Sequence, residues 1–379
     1  MQFKLTKEQE LIQRAAREYA EKTVAPQVEG ILETNKVPEA VLRDLKELDF
    51  FAIPVAEEYG GAGAGFASYA LVLEQLARVL PALSVIISVN NVGMSAIQNF
   101  GTEEQKKRYL PPGGRGDGIL SFAFTEPGTG SDPKQLTTTA ERKGDTFVLN
   151  GTKRFITNAG FPGPIVVIAK ESDTGAVSGF LFDKFCEGYS VSEPWKKMGC
   201  QGAPLYDVYL KDVAVPAENM LGGPNKGFWV LKVALALGKI GISSIFLGCM
   251  LAAYEEALKY ATQKTHRGQP IAKFQSIQMA ISDMAMKYEA ARWLTYRAGW
   301  LADQAKDKGD ILKDSAMTKI FVTEEAVELA KIAMNVHGSY GLMQDYKMSQ
   351  IWKDVIFGPQ VEGVSPLLKV LVAGEILRG

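Results

Sequence analysis

Apolar residues near the start of the chain recur at three- and four-residue intervals, as at Leu5, Leu11, Ile12 and Ala15, which is the spacing of one helix face. Thr6, followed by Glu8 and Glu10, reads as a helix start. The same periodicity predicts helices over Pro38–Leu48, Ala67–Leu80, Leu83–Phe100 and Thr102–Leu110, with the glycine-rich segment Glu57–Gly65 as a loop between them. From Ile119 to about Gly223 the pattern shortens to runs such as TFVLNG, PIVVIAK, SGFLF and DVYLKDVAVP, separated by Gly, Asp and Pro. Runs of that length and spacing predict a compact β-barrel or sandwich. Beyond Gly227 long helical stretches return at Phe228–Thr265, Phe274–Lys308 and Ile311–Val336, with apolar faces suited to an antiparallel bundle. The predicted class is α+β in three units: helical 1–118, β 119–226 and helical 227–379.

Composition narrows the function classes. In 379 residues, 46% are hydrophobic and 22% charged, and the formal net charge is −1. A chain of this length buries a large core without crosslinks, and near-neutrality argues against a nucleic-acid or polybasic membrane surface. Cys186, Cys200 and Cys249 are too scattered for a disulfide framework or a CxxC pair, so reduced thiols and a cytoplasmic location are expected. The N-terminal stretch is amphipathic and carries acids, unlike a secretory signal, and no run approaches a membrane span, so no membrane insertion is expected. No metal site is expected.

Candidate chemistry centres on Ser121–Asp132, SFAFTEPGTGSD. Its proline and two glycines suit an ordinary hairpin turn, and equally a nest of backbone N–H groups for a phosphate or an electron-rich ring edge. Turn chemistry leaves both open.

Taken together, FFAIPVAEEYGGAG, FGTEEQKKRYLPP, FAFTEPGTGSD, NGTKRFITNAG, VPAENMLGG and GKIGISS resemble, in order and spacing, the acyl-CoA dehydrogenase family. The resemblance spans the whole chain. It implies a helical N-terminal domain, a β middle domain and a C-terminal four-helix bundle, FAD as cofactor, an acyl-CoA substrate, electron-transfer flavoprotein as acceptor and a homotetramer. It places Phe122, Phe124 and Thr125 against the flavin ring, Gly130 and Ser131 by the pyrophosphate and the CoA arm, and Phe155, Ile156 and Thr157 on the ring's other side. Lys264 stands for the family's arginine near the FAD diphosphate and Arg267 for its phenylalanine, with His266, Phe274 and Gln275 alongside. Replacing arginine by lysine keeps the charge and loses the fork geometry. Asn335, Gly338 and Ser339 fall beside the adenosine part, where Gly338 also suits a helix C-cap. Val364 and Ser365 complete the cofactor set.

The resemblance also selects a base. Removal of an α-proton from a thioester calls for a carboxylate whose pKa burial has raised. Lys353 and Asp354 match the family's Arg-Asp pair, and counting on from them puts Glu362-Gly363 on its Glu-Gly pair. Pro366 follows where a helix normally continues. The family's other base position holds Gly238, and Lys239 after it is expected to line the substrate or CoA path. In the acyl wall, Ile86–Ser95, Asn90 and Asn91 either bond to backbone or face the acyl group. These departures resemble the branch acting on alicyclic thioesters, where an aspartate at position 91 is a base and the usual glutamate is missing. Here Asn91 cannot take a proton and Glu362 can, which favours 1,2-desaturation of a cyclohexane-type thioester. A short-chain or dicarboxylic substrate, an oxidase and a non-catalytic flavin- or acyl-CoA-binding protein are the competing readings.

Overall fold

The computed structural model describes residues 4–378; residues 1–3 and 379, the outermost positions of the first and last expected units, lie outside the described residues. Helix α1 (Lys7–Tyr19) begins at Thr6, whose hydroxyl accepts from the Gln9 amide while the Gln9 side chain accepts from the Thr6 amide. That reciprocal cap satisfies two N–H groups that a helix start otherwise leaves unpaired. Thr102 and Gln105 repeat it at α6 (Glu103–Gly114), which carries Pro111 and Pro112 in its final turn and so runs past the expected end at Leu110. Between them lie α2 (Val28–Thr34), α3 (Glu39–Glu47), α4 (Gly65–Ala77) and α5 (Pro81–Phe100).

The middle of the chain forms one mixed eight-stranded sheet in the order β6-β7-β3-β2-β4-β5-β8, with β1 paired parallel to β4. Its strands are β1 (Ser121–Ala123), β2 (Thr139–Lys143), β3 (Thr146–Thr157), β4 (Pro164–Glu171), β5 (Val177–Asp183), β6 (Tyr189–Val191), β7 (Leu205–Pro216) and β8 (Met220–Leu221). Residues such as Leu149, Ile165, Phe180, Val208 and Val213 form its core. Against β7 the register of β3 shifts between Lys153 and Ile156, and Phe155 there takes φ +59°. An irregularity of this kind turns one side chain out of the alternation of the strand.

Helices α7 (Gly227–Gln263), α8 (Gln275–Gln304) and α9 (Leu312–His337) pack on one another, with α10 (Lys347–Val355) and α11 (Ser365–Leu377) against α9. A two-stranded hairpin, β9 (Thr265–His266) and β10 (Gln269–Pro270), joins α7 to α8. Pro366 does not interrupt α11; it stands in the first turn, where the missing N–H has no intrahelical partner to lose. Helix α7, at hydropathy 1.8, is long and apolar enough to cross a membrane, contrary to the expectation that no run approaches a span; 83% of that window is buried inside the protein.

Helices α4 and α5 also pack on α7, and one continuous core runs through the N- and C-terminal helices. A polar tie crosses it: the buried Glu74 on α4 accepts the hydroxyls of Tyr288 (2.6 Å) and Tyr296 (2.5 Å) from α8. Burial raises the Glu74 carboxyl, against those hydrogen bonds.

Candidate active site

The Ser121–Asp132 loop leaves β1 and is pinned to β3 from beneath. Thr125 O accepts from the Arg154 amide (2.7 Å), and Lys153 Nζ donates to Phe124 O (3.1 Å) and Glu126 Oε1 (2.8 Å). Glu126 also accepts from the Thr137 amide and hydroxyl and from the Thr138 amide. Burial raises the Glu126 carboxyl, but Lys153 and the threonine donors outweigh it and hold the group at about 2. Lys153 is lowered by burial to about 8, with Glu126 opposing. Sequence reading missed this pair; a lysine in TKRFIT gives no signal that it is fully buried. Among the described residues, the amides of Gly130 and Ser131 donate to no atom of the chain, and both residues are exposed.

A second tie meets the same region. Lys184, at the end of β5, donates to Ile119 O (2.7 Å), Ser121 Oγ (3.2 Å) and Asn158 O (3.0 Å), joining the start of β1 to the turn after β3. Burial lowers its ammonium to about 7. Phe122 and Phe124 are partly buried against the core beneath the loop. Phe155 stays 51% exposed beside Trp195, ring centroids 5.6 Å apart, while Arg154 forks onto Asp207. Thr157 is half-buried. Ile156, expected at the cofactor, instead turns its side chain into the sheet core, because it resumes the inward alternation after the irregularity.

The other expected cofactor residues lie on a different part of the chain. Lys264 is exposed with its Nζ 4.8 Å from the centroid of the Tyr340 ring; Arg267 (φ +50°) and Gly268 (φ +77°) form the tip of the β9–β10 hairpin; His266 lies 5.8 Å from Phe274. Gln275 opens α8, and Gly338 ends α9 at φ +58°, with Asn335 and Ser339 exposed around it. This hairpin packs on α7, whereas β1 packs on α5, β3 and β4.

The base candidate sits in a strained turn. Glu362 (φ +53°) and Gly363 (φ +99°) reverse the chain between a 3-10 turn (Gly358–Gln360) and α11, and a positive φ is disfavoured for glutamate. Lys319, on α9 and fully buried, spans the turn by donating to Pro359 O (3.2 Å) and Gly363 O (2.8 Å). Glu362 Oε2 is sealed from solvent and has no hydrogen-bond partner. Burial raises this carboxyl; Lys239 and Lys319 nearby pull it back down. Lys239 is not on an open path but buried, donating to Leu235 O (2.9 Å). Burial brings both ammonium groups down to about 8. Gly238 makes room for the carboxylate: a Cβ there would lie 2.7 Å from Glu362 Oε2 and 3.0 Å from Val92. Val364 caps α11, and the buried Ser365 Oγ beside it has no partner.

A tight hollow with no room for a free water lies at this point, lined by Tyr69, Ser88, Asn91, Val92, Leu237 and Gly238 among others. Asn90 does not line it. Its side chain donates to Phe51 O and Gly113 O and accepts from the Leu120 amide at 2.7 Å, holding α5 to neighbouring backbone instead of facing an acyl group. Asn91 combines both expected roles: Nδ2 donates to Phe51 O and Ile87 O, each at 3.0 Å, and Oδ1 has no partner.

The chain therefore combines a desolvated carboxylate beside a tight hollow with open backbone amides on the loop after β1 and an exposed aromatic on β3. Models of the acyl-CoA dehydrogenase N-terminal, middle and C-terminal domains match residues 6–117, 121–213 and 225–377, and the chain belongs to that family. It is similar to 3-(aryl)acrylate reductase of Clostridium sporogenes, 37% identical over 98% of this chain and 99% of the relative. It is also similar to the caffeyl-CoA reductase–Etf complex subunit CarC of Acetobacterium woodii, 35% identical over 98% and 99%. Butyryl-CoA dehydrogenase from Megasphaera elsdenii superposes with a TM-score of 0.95 at 30% identity, over 100% of both chains. The protein is thus an oxidoreductase acting on acyl-CoA thioesters, with FAD as cofactor.

Proposed function

We propose that the protein interconverts a compact acyl-CoA and its 2-enoyl thioester, with Glu362 as the base that takes the α-proton. The observation that carries this is the Glu362 carboxylate, sealed beside a small cavity, with one oxygen unpartnered and a glycine where a side chain would displace it. Burial raises its proton affinity toward what an α-proton requires, and the Lys239 and Lys319 charges oppose that rise. FAD, when bound, supplies the acceptor for the β-hydride. Phe122, Phe124, Thr125, Phe155 and Thr157 would hold its ring, and the free amides of Gly130 and Ser131 would meet its pyrophosphate or the CoA arm. Lys264, His266, Arg267, Phe274, Gln275, Asn335, Gly338, Ser339, Val364 and Ser365 would take the diphosphate and adenosine. Since the hairpin and the β1 loop pack on different elements, we assign part of that second set to a neighbouring copy in a homotetramer.

The domain division at 118/119 and 226/227, and a cytoplasmic location with reduced thiols, belong to the same reading. Electron-transfer flavoprotein is the proposed electron partner, supported by the Etf complex of the Acetobacterium relative. The pairing of Asn91 with Glu362 supports a six-membered-ring acyl group, while the names of the relatives support an acrylate-type or short-chain ester. No arginine is near enough to line the cavity, which counts against a dicarboxylate. Anaerobic flavin reduction should be measured with butyryl-, cyclohexanecarboxyl-, 3-arylpropionyl- and glutaryl-CoA. Bleaching by any of the first three and its absence in Glu362→Gln is the expected result. A colourless protein that cannot be reconstituted with FAD, or full bleaching in Glu362→Gln, would overturn it.

A further inference from the structure

The hollow beyond Glu362 is polar at its far end. Asn91 Oδ1 is buried there without a hydrogen bond on a residue 3% exposed, and Ser88 Oγ, on a residue 1% exposed, has the Tyr69 hydroxyl beside it. Asn91 is fixed in orientation, because its two N–H bonds already go to the carbonyls of Phe51 and Ile87; the oxygen is the only end left for a ligand. Gly238 and Gly241 lie one turn apart on the same face of α7. A Cβ on Gly238 would meet Glu362, and a Cβ on Gly241 would collide with Ser88 Oγ and lie 2.8 Å from Tyr69 OH. The base and the polar end are therefore separated along α7 by about one helical turn, roughly 5 Å.

An unpaired acceptor in a closed site costs free energy unless a ligand supplies its donor. Asn91 Oδ1 can only accept, whereas the serine and tyrosine hydroxyls can do either. A carboxylate ligand would add charge beside Glu362 and leave Asn91 Oδ1 facing another acceptor. A neutral hydroxyl satisfies all three groups. The geometry points to an acyl group that carries a hydroxyl about three to four bonds beyond its α-carbon, held by Asn91, Ser88 and Tyr69 while its α-carbon faces Glu362. This rests on the thioester reading above and narrows its substrate class.

The test measures kcat/KM for two ester pairs: cyclohexanecarboxyl-CoA against 4-hydroxycyclohexanecarboxyl-CoA, and pentanoyl-CoA against 5-hydroxypentanoyl-CoA. In the wild-type holoenzyme at least one hydroxylated ester should exceed its parent by about tenfold or more, the scale on which sites built for a hydroxyl discriminate. Ser88→Ala and Asn91→Leu should each move that ratio toward one, by depressing the hydroxylated ester more than its parent. Among the described residues Ser88 Oγ has only the Tyr69 hydroxyl beside it and no backbone bond to lose, so Ser88→Ala is the variant least exposed to misfolding. Equal or better turnover of both parent esters, or a preference that survives both substitutions, overturns the inference while leaving the thioester activity standing. Failure of all four esters, and of butyryl- and 3-arylpropionyl-CoA, to reduce the flavin overturns both.

Discussion

At the residue scale the reaction depends on how far burial lifts one carboxylate. As the proposed base Glu362 works ionised, so kcat/KM should rise with pH through a value above the ordinary carboxylate range. Lys319 lowers that value by its charge and fixes the turn by its two carbonyl bonds. Lys319→Met should therefore move the rise to higher pH as well as slow the reaction; a slower enzyme with an unmoved profile would assign Lys319 to the fold alone. Gly238→Ala should abolish substrate-dependent bleaching while FAD absorbance remains, because the added methyl lies within 2.7 Å of the carboxylate. The glutamate was legible in the sequence by its register against Lys353 and Asp354. Its two lysines were not, since Lys239 comes 123 positions before it and Lys319 43 positions before it, and nothing local marks either as buried.

At the element scale, β1, β3 and β5 are held in register by polar groups that no strand pattern announces. Glu126 and Lys153 form a buried pair under the loop, and removing one partner of such a pair costs about 3–5 kcal/mol. Lys153→Met should lower the melting temperature and release FAD, read as loss of flavin absorbance on gel filtration. Lys184 acts differently, because it has three oxygen acceptors and no carboxylate. Its folded-state pKa of about 7 lies below the ordinary lysine value of 10.5, so the folded form binds fewer protons than the unfolded form between those values. Through this group stability rises as pH goes from about 7 to 10.5, and Lys184→Met should flatten that rise in melting temperature against pH. The strands themselves were readable from short apolar runs separated by Gly, Asp and Pro. The departure at Phe155 was not, because it comes from a register shift against β7, some fifty residues away.

For the whole molecule, α8 presents Met279, Met286, Trp293 and Trp300 to solvent at 68%, 61%, 36% and 56% exposure. A seven-residue interval keeps them on one stripe of the helix, and a run of large exposed apolar side chains marks an association surface. Met286→Glu combined with Trp300→Glu should yield a smaller species by sedimentation, with weaker FAD retention if the adenosine set comes from a neighbouring copy. An unchanged mass would place the subunit contact elsewhere. The helix–sheet–helix order follows from the sequence alone, because periodicities of 3.6 and 2 are local properties of the chain. So do the caps at Thr6 and Thr102, and the choice of Glu362 over Gly238 as the only carboxylate at the two base positions. Tertiary structure decided that the first and last helices share one core, that Asn90 braces backbone while Asn91 opens an acceptor into the alcove, and that Lys239, Lys319 and Glu362 meet. Desolvation and unsatisfied hydrogen bonds are properties of packed space, so they arise only when distant segments close around the same few atoms.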